Sequence, residues 1–280
     1  MARKTRLGRR TIRVMIVAAV LALGLGALGL NLRGDQAKSG PFGGQPLPVL
    51  FPDGRIAVVD GIIRRADARA HADARTWLRA HPVRDDRAFA NFALAHVGRP
   101  PTGAAQRAEL AALHRIDANR TPAGKRAAVW LEAHGKKDIW KLYLKQYRQT
   151  TNGPSGKDAK ARFKATNTLA KALATRGKAR FARPSPYIVD PSLHALNQRR
   201  FAKKYSYPAK HAVLGSALSW VLVHYEPHRE GEYSWMNAEV SYSRLYAGGH
   251  YPSDIAAGAY LGRLVAYYEL ALPLAGAKKG

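Results

Sequence analysis

The chain has 280 residues, enough to bury one full-sized core. Lys and Arg number 46 against 19 Asp and Glu, a formal charge of +27, so the favoured partners are anionic: phosphorylated substrates, lipid headgroups or nucleic acid. There is no cysteine, which excludes disulfides, thiol catalysis and Cys-based metal sites.

Arg3, Lys4, Arg6, Arg9, Arg10 and Arg13 precede an uninterrupted apolar run from Val14 to Leu30. A basic stretch before such a run reads as a signal peptide or an uncleaved signal anchor over residues 1–30, one hydrophobic helix, and Arg9-Arg10 also loosely matches a twin-arginine signal. The positive-inside rule then places the remainder outside the cytoplasm. The expected location is extracytoplasmic and membrane-anchored, or periplasmic or secreted if the signal is cleaved. Residues 31–54, rich in Gly and Pro, read as a linker, and residues 55–280 as the folded domain.

Within that domain helical periodicity dominates. It predicts helices over 60–80, 84–97, 102–116, 121–134 and 138–149, then one capped by Asp158 and running to about Thr175. Three more follow over 212–225, 232–246 and 253–272, the first and last apolar enough to be buried core helices. The segment Arg55-Ile-Ala-Val-Val59 is the best candidate for a short edge strand. The fold class is all-α, a compact helical bundle.

Chemistry concentrates in three clusters between residues 176 and 262. The most informative is Ser243-Arg244-Leu-Tyr-Ala-Gly-Gly249-His250-Tyr-Pro-Ser-Asp254. Pro252 and Ser253 suit the first turn of a helix. If that helix already includes His250, Asp254 lies on the same face and orients one imidazole nitrogen, leaving the other as a nucleophile. Gly248 and Gly249 let backbone N–H groups approach an anion, and Arg244 adds a planar fork of donors. The second cluster, Tyr207-Pro208-Ala209-Lys210-His211, puts a histidine at a helix start, where it can protonate a leaving oxygen. The third, Arg176-Gly-Lys178-Ala-Arg180-Phe-Ala-Arg183-Pro184, gathers four cations at a helix end.

Together these clusters resemble the three-part signature of the type 2 phosphatidic acid phosphatase superfamily: Lys-x6-Arg-Pro, Pro-Ser-Gly-His and Ser-Arg-x5-His-x3-Asp. That group includes bacterial acid phosphatases, membrane lipid phosphatases and vanadium haloperoxidases. The third part is complete here, while Arg176 stands at the family lysine and Ala209-Lys210 at the family Ser-Gly. Lys178 is a nearby cation out of register. The resemblance implies the bundle of the acid phosphatase and vanadium haloperoxidase type. It further implies a metal-independent phosphatase that hydrolyses soluble or lipid phosphomonoesters through a phosphohistidine on His250. Asp254 would orient that histidine and His211 would act as acid. Arg176, Arg183 and Arg244 would clamp the phosphoryl oxygens, helped by Lys210, Gly249 and Lys178. No cofactor is implied; vanadate would inhibit, or serve as cofactor if the protein is instead a haloperoxidase. A non-catalytic anion- or lipid-binding member of the same fold is the other alternative. The partners expected are the phosphorylated substrate and, through the N-terminal segment, a membrane; no nucleic-acid motif is present.

Overall fold

The computed structural model describes residues 48–151, 153–196 and 205–274. All of them belong to one compact unit, Pro48–Gly280. The N-terminal hydrophobic segment, and the linker up to residue 47, lie outside the described residues.

The described residues are helical and contain no strand. In chain order the helices are α1 (Asp53–Ala80), α2 (Asp86–His96), α3 (Gly103–Ala118), α4 (Pro122–His134), α5 (Asp138–Thr150) and α6 (Pro154–Phe181), followed by the short α7 (Pro186–Val189), α8 (Lys210–Tyr225), α9 (Glu230–Tyr246) and α10 (Pro252–Ala271). Among the described residues no helix is long and apolar enough to cross a membrane.

Two sequence expectations are corrected. Residues 55–59 are not a strand: α1 starts at Asp53, and Ile56, Val59, Ile63, Ala66, Ala70, Ala74 and Trp77 form its buried stripe at helical spacing. Just before it, Phe51 packs its ring against Tyr242 and Tyr246 and donates its N–H to the buried Glu239 at 3.2 Å. Burial pushes the Glu239 carboxyl up to about 8. Asp158 caps nothing; α6 begins four residues earlier at Pro154, and Asp158 pairs instead with Arg162 and the Tyr225 hydroxyl.

The centre of the bundle is the pair α8 and α10, both apolar on nearly every face. Helix α1 covers α10, α6 lies against both, and α9 joins α8 to α4 and α1. The two central helices touch backbone to backbone. A Cβ at Gly262 would lie 2.3 Å from the Val213 carbonyl oxygen, and one at Gly258 would lie 2.7 Å from the Ala212 Cβ and 2.8 Å from the Ala209 carbonyl oxygen. Hydrogen bonding continues the contact, since the Ala209 N–H donates to the Asp254 carbonyl at 3.0 Å. The starts of α8 and α10 are thereby locked side by side. Gly262→Ala should therefore destabilise the fold by about 3 kcal/mol, as expected of overpacking against immovable backbone. Thermal unfolding should show this as a Tm lower by roughly 10 °C; an unchanged Tm would mean that the helices can separate freely.

Candidate active site

The three clusters converge at the ends of α6, α8 and α9 and the start of α10. Helix α9 finishes at Tyr246, and Gly248 then takes φ +73°, the left-handed conformation that glycine adopts without a Cβ penalty. Its N–H donates to the Leu245 carbonyl at 2.9 Å, closing the last turn. Gly249 and His250 follow, both buried, and Tyr251 is extended (φ −85°, ψ 158°) before α10 begins at Pro252. His250 is thus outside the helix, and Ser253 is its second residue rather than its cap.

The imidazole still meets Asp254, by a different route from a shared helical face. Asp254 is the third residue of α10, and its carboxylate reaches back to accept the Tyr251 N–H at 2.9 Å. In that pose Oδ2 lies 3.4 Å from His250 Nδ1, long for a full hydrogen bond but within ion-pair range. Burial would raise the Asp254 pKa, but His250, Arg183 and the Tyr251 N–H together hold it below the usual carboxylate range. Burial pushes His250 itself down, with Asp254 opposing and Lys178 and Arg244 adding to the depression. A neutral imidazole facing a charged carboxylate through Nδ1 leaves Nε2 as a lone-pair nitrogen.

His211 is the second residue of α8 and 3% exposed. Its Nε2 is 3.1 Å from the Glu132 carbonyl oxygen, a partner that can only accept, so Nε2 carries the proton and Nδ1 is the exchangeable position. Burial depresses its pKa well below the ordinary histidine value, and Lys136, His250, Lys178 and Lys210 act in the same direction. Two buried histidines therefore sit within reach of each other's charge, surrounded by lysines.

The expected cations divide into three groups. Arg176 is exposed and donates to Asn91 Oδ1 at 2.8 Å, and it does not figure among the charges acting on either histidine. Lys178 does act on both, and its ammonium donates to the Tyr205 carbonyl. Residues two apart on a helix point roughly 200° away from each other, so α6 can turn only one of the two toward the site. Lys210, at the start of α8, acts on His211.

Arg183 and Arg244 are both buried and both already paired. Arg183 lies 3.6 Å over the Tyr251 ring and bridges Asp254 Oδ1, Ser253 Oγ and Glu109 Oε2 at 2.8, 2.7 and 2.8 Å. Glu109 also accepts the Ser253 N–H at 2.6 Å, so this carboxylate ties α3 to the first turn of α10. Arg244 pairs with Glu132 and donates to the Ala128 carbonyl at 2.9 Å and the Ser243 hydroxyl at 3.0 Å.

Sequence reading missed Glu109, Arg120, Glu132 and Lys136, all supplied by α3, α4 and the turns that follow them. Glu132 and Lys136 carry a local signal, an i,i+4 ion pair at 3.8 Å, and Arg120 carries another, an i,i+3 pair with Asp117. Arg120, with a side chain 3% exposed, braces the nucleophile turn: it pairs with Asp117, donates to the His194 carbonyl, and leaves no room for a side chain at Gly248. Leu196 N–H adds a bond to the Ala247 carbonyl at 2.8 Å. Arg120→Met should lower the unfolding free energy by about 3 kcal/mol, because it strands a carboxylate. The exposed Arg115→Met should change it by less than about 1 kcal/mol, and urea titration would distinguish the two.

Residues 162–275 match the family model of the PAP2 superfamily. The match covers less than half of the chain. The PAP2 segment starts inside α6 and ends just beyond α10, so it contains every expected site residue, whereas Glu109, Arg120, Glu132 and Lys136 precede it. Among solved structures the chain is similar to the first transmembrane PAP2-type phosphatidylglycerolphosphate phosphatase from Bacillus subtilis. That likeness has a TM-score of 0.46 and 19% identity, covering 66% of this chain and 92% of that one. No curated protein matches.

Proposed function

We propose that the protein is a metal-independent phosphatase that hydrolyses phosphomonoesters through a phosphohistidine. One observation carries this reading. Two buried histidines lie close enough to feel each other's charge among nearby lysines, one backed by a carboxylate through Nδ1 and the other hydrogen-bonded so that Nδ1 is its exchangeable nitrogen. The match of residues 162–275 to the PAP2 superfamily model supports a phosphatase-type hydrolase.

In the first half-reaction His250 Nε2 forms a bond to phosphorus while the P–O bond to the leaving group breaks. Asp254 holds the imidazole and stabilises the charge that develops on it. Protonated His211 gives its Nδ1 proton to the departing alkoxide. In the second half-reaction His211 takes a proton from water, the hydroxide attacks phosphorus, and the N–P bond breaks to release phosphate. Lys178, Lys210 and the N–H groups around Gly249 would cradle the phosphoryl oxygens. Arg183 acts through Asp254 and Ser253, as a positioning group. Arg176 falls outside this assignment, its guanidinium being turned to Asn91.

The substrate class is a phosphomonoester, either soluble or the headgroup of a lipid, and the segment over residues 1–30 would export and anchor the domain. A screen of alkyl, aryl and lipid phosphates, run with chelator and with orthovanadate as inhibitor, tests the reading. Hydrolysis that survives chelation and yields to vanadate supports it; phosphate binding without turnover of any substrate would replace it with an anion-binding role.

A further inference from the structure

Arg244 has almost nothing left to offer a substrate, because its donors are already engaged. Its Nε–H and one NH2 hydrogen point to the Ser243 hydroxyl, both at 3.0 Å, another NH2 hydrogen bonds the Ala128 carbonyl at 2.9 Å, and NH1 pairs with the Glu132 carboxylate. With the side chain 2% exposed, a bidentate grip on a phosphoryl group requires the carboxylate to give way.

The position of Glu132 makes that exchange possible. Its main-chain carbonyl is fixed by His211, so its Cα stays beside the general acid. Its side chain lies between two cations, Arg244 on the buried side and Lys136 on the other, with Nζ at 3.8 Å. Lys136 is 42% exposed and is also one of the charges that His211 feels. The carboxylate can therefore swing away from Arg244 and remain with Lys136 near water.

We propose that the Glu132 carboxylate occupies the phosphoryl-binding position on Arg244 in the resting protein and is exchanged for the substrate's phosphoryl group, so that Glu132 sets the affinity of the site for anions. The inference rests on the phosphatase reading above. A dianionic phosphoryl group, with three oxygens, outcompetes one carboxylate with two; weaker anions are held off. It differs from a plain supporting role for Glu132 in the sign of one measurement. Removing a support for Arg244 weakens anion binding, whereas removing a competitor tightens it.

The test uses orthovanadate as the probe against the full chain hydrolysing an alkyl phosphate. Glu132→Gln keeps the shape and removes the charge; its Ki for vanadate should fall about tenfold or more, with KM falling in parallel. A Ki that is unchanged or higher overturns the proposal. Should that variant fail to fold, Glu132→Asp keeps the charge but draws it back by one methylene from Arg244. Its Ki should fall by a smaller factor, and here too an unchanged or higher value overturns the proposal. If the wild-type protein neither hydrolyses phosphomonoesters nor binds vanadate, the phosphatase reading itself fails. If it does both and Glu132→Gln does not tighten binding, only the exchange fails.

Discussion

On the phosphohistidine reading, His250→Ala is expected to reduce phosphomonoester turnover by at least about 10⁴-fold, because it removes the nitrogen proposed to bond to phosphorus. The fold should survive. His250 lies in a turn outside both flanking helices, and its ring makes one polar contact, to Asp254 at 3.4 Å. Rapid quench of the wild-type protein and a labelled substrate into alkaline detergent should trap a phosphoryl group that is labile in acid and stable in alkali, as phosphoramidates are. The alanine variant should trap none while melting within a few degrees of wild type. Residual activity near the wild-type level in a folded His250→Ala protein would remove His250 from the mechanism altogether.

The second large effect depends on the leaving group. An alkoxide needs a proton to depart and a stabilised phenolate does not, so His211→Ala should slow alkyl phosphates by about 10³-fold and activated aryl phosphates by no more than about tenfold. The same residue sets the pH profile. Burial, followed by Lys136, His250, Lys178 and Lys210, pushes the His211 pKa well below its ordinary value, so in the free enzyme the protonated acid is populated only under acidic conditions. Each pH unit above that pKa removes about nine-tenths of the acid form. kcat/KM for an alkyl phosphate should therefore fall about tenfold per unit as pH rises through neutrality. In His211→Ala this slope should vanish. A wild-type profile that is flat from acid to neutral pH, with equal losses for alkyl and aryl substrates in the variant, would assign His211 a structural role.

The histidines and Asp254 were legible in the sequence because each stands in a short motif whose spacing survives folding. The partners of the arginines were not. Glu109 and Glu132 come from α3 and α4, 74 and 112 positions from the arginines they meet. The i,i+4 spacing of Glu132 and Lys136 is a local signal, but nothing in either helix points to the distant arginine. The sequence named both Arg176 and Lys178 and could not separate them: alignment to a motif fixes register along the chain, while the rotation of α6 decides which side chain faces inward. Most helices were read within a few residues of their ends. The start of α1 was missed because Asp53-Gly54 look like linker, whereas Phe51, seated against Tyr242 and Tyr246, fixes where the helix begins.

The glycine contact between α8 and α10 has a consequence for how such a site diversifies. The helix starts that carry His211 and Asp254 are held together by close backbone packing at Gly258 and Gly262, with no long rotamer in between to drift. Substitutions elsewhere in the core can repack without disturbing it. The charge around it has more scattered sources: Lys178, Lys210 and Arg244 lie within the matched segment, while Glu132 and Lys136 precede it. On the proposed reading, the placement of the two histidines can therefore stand still while point mutations alter the charge they feel.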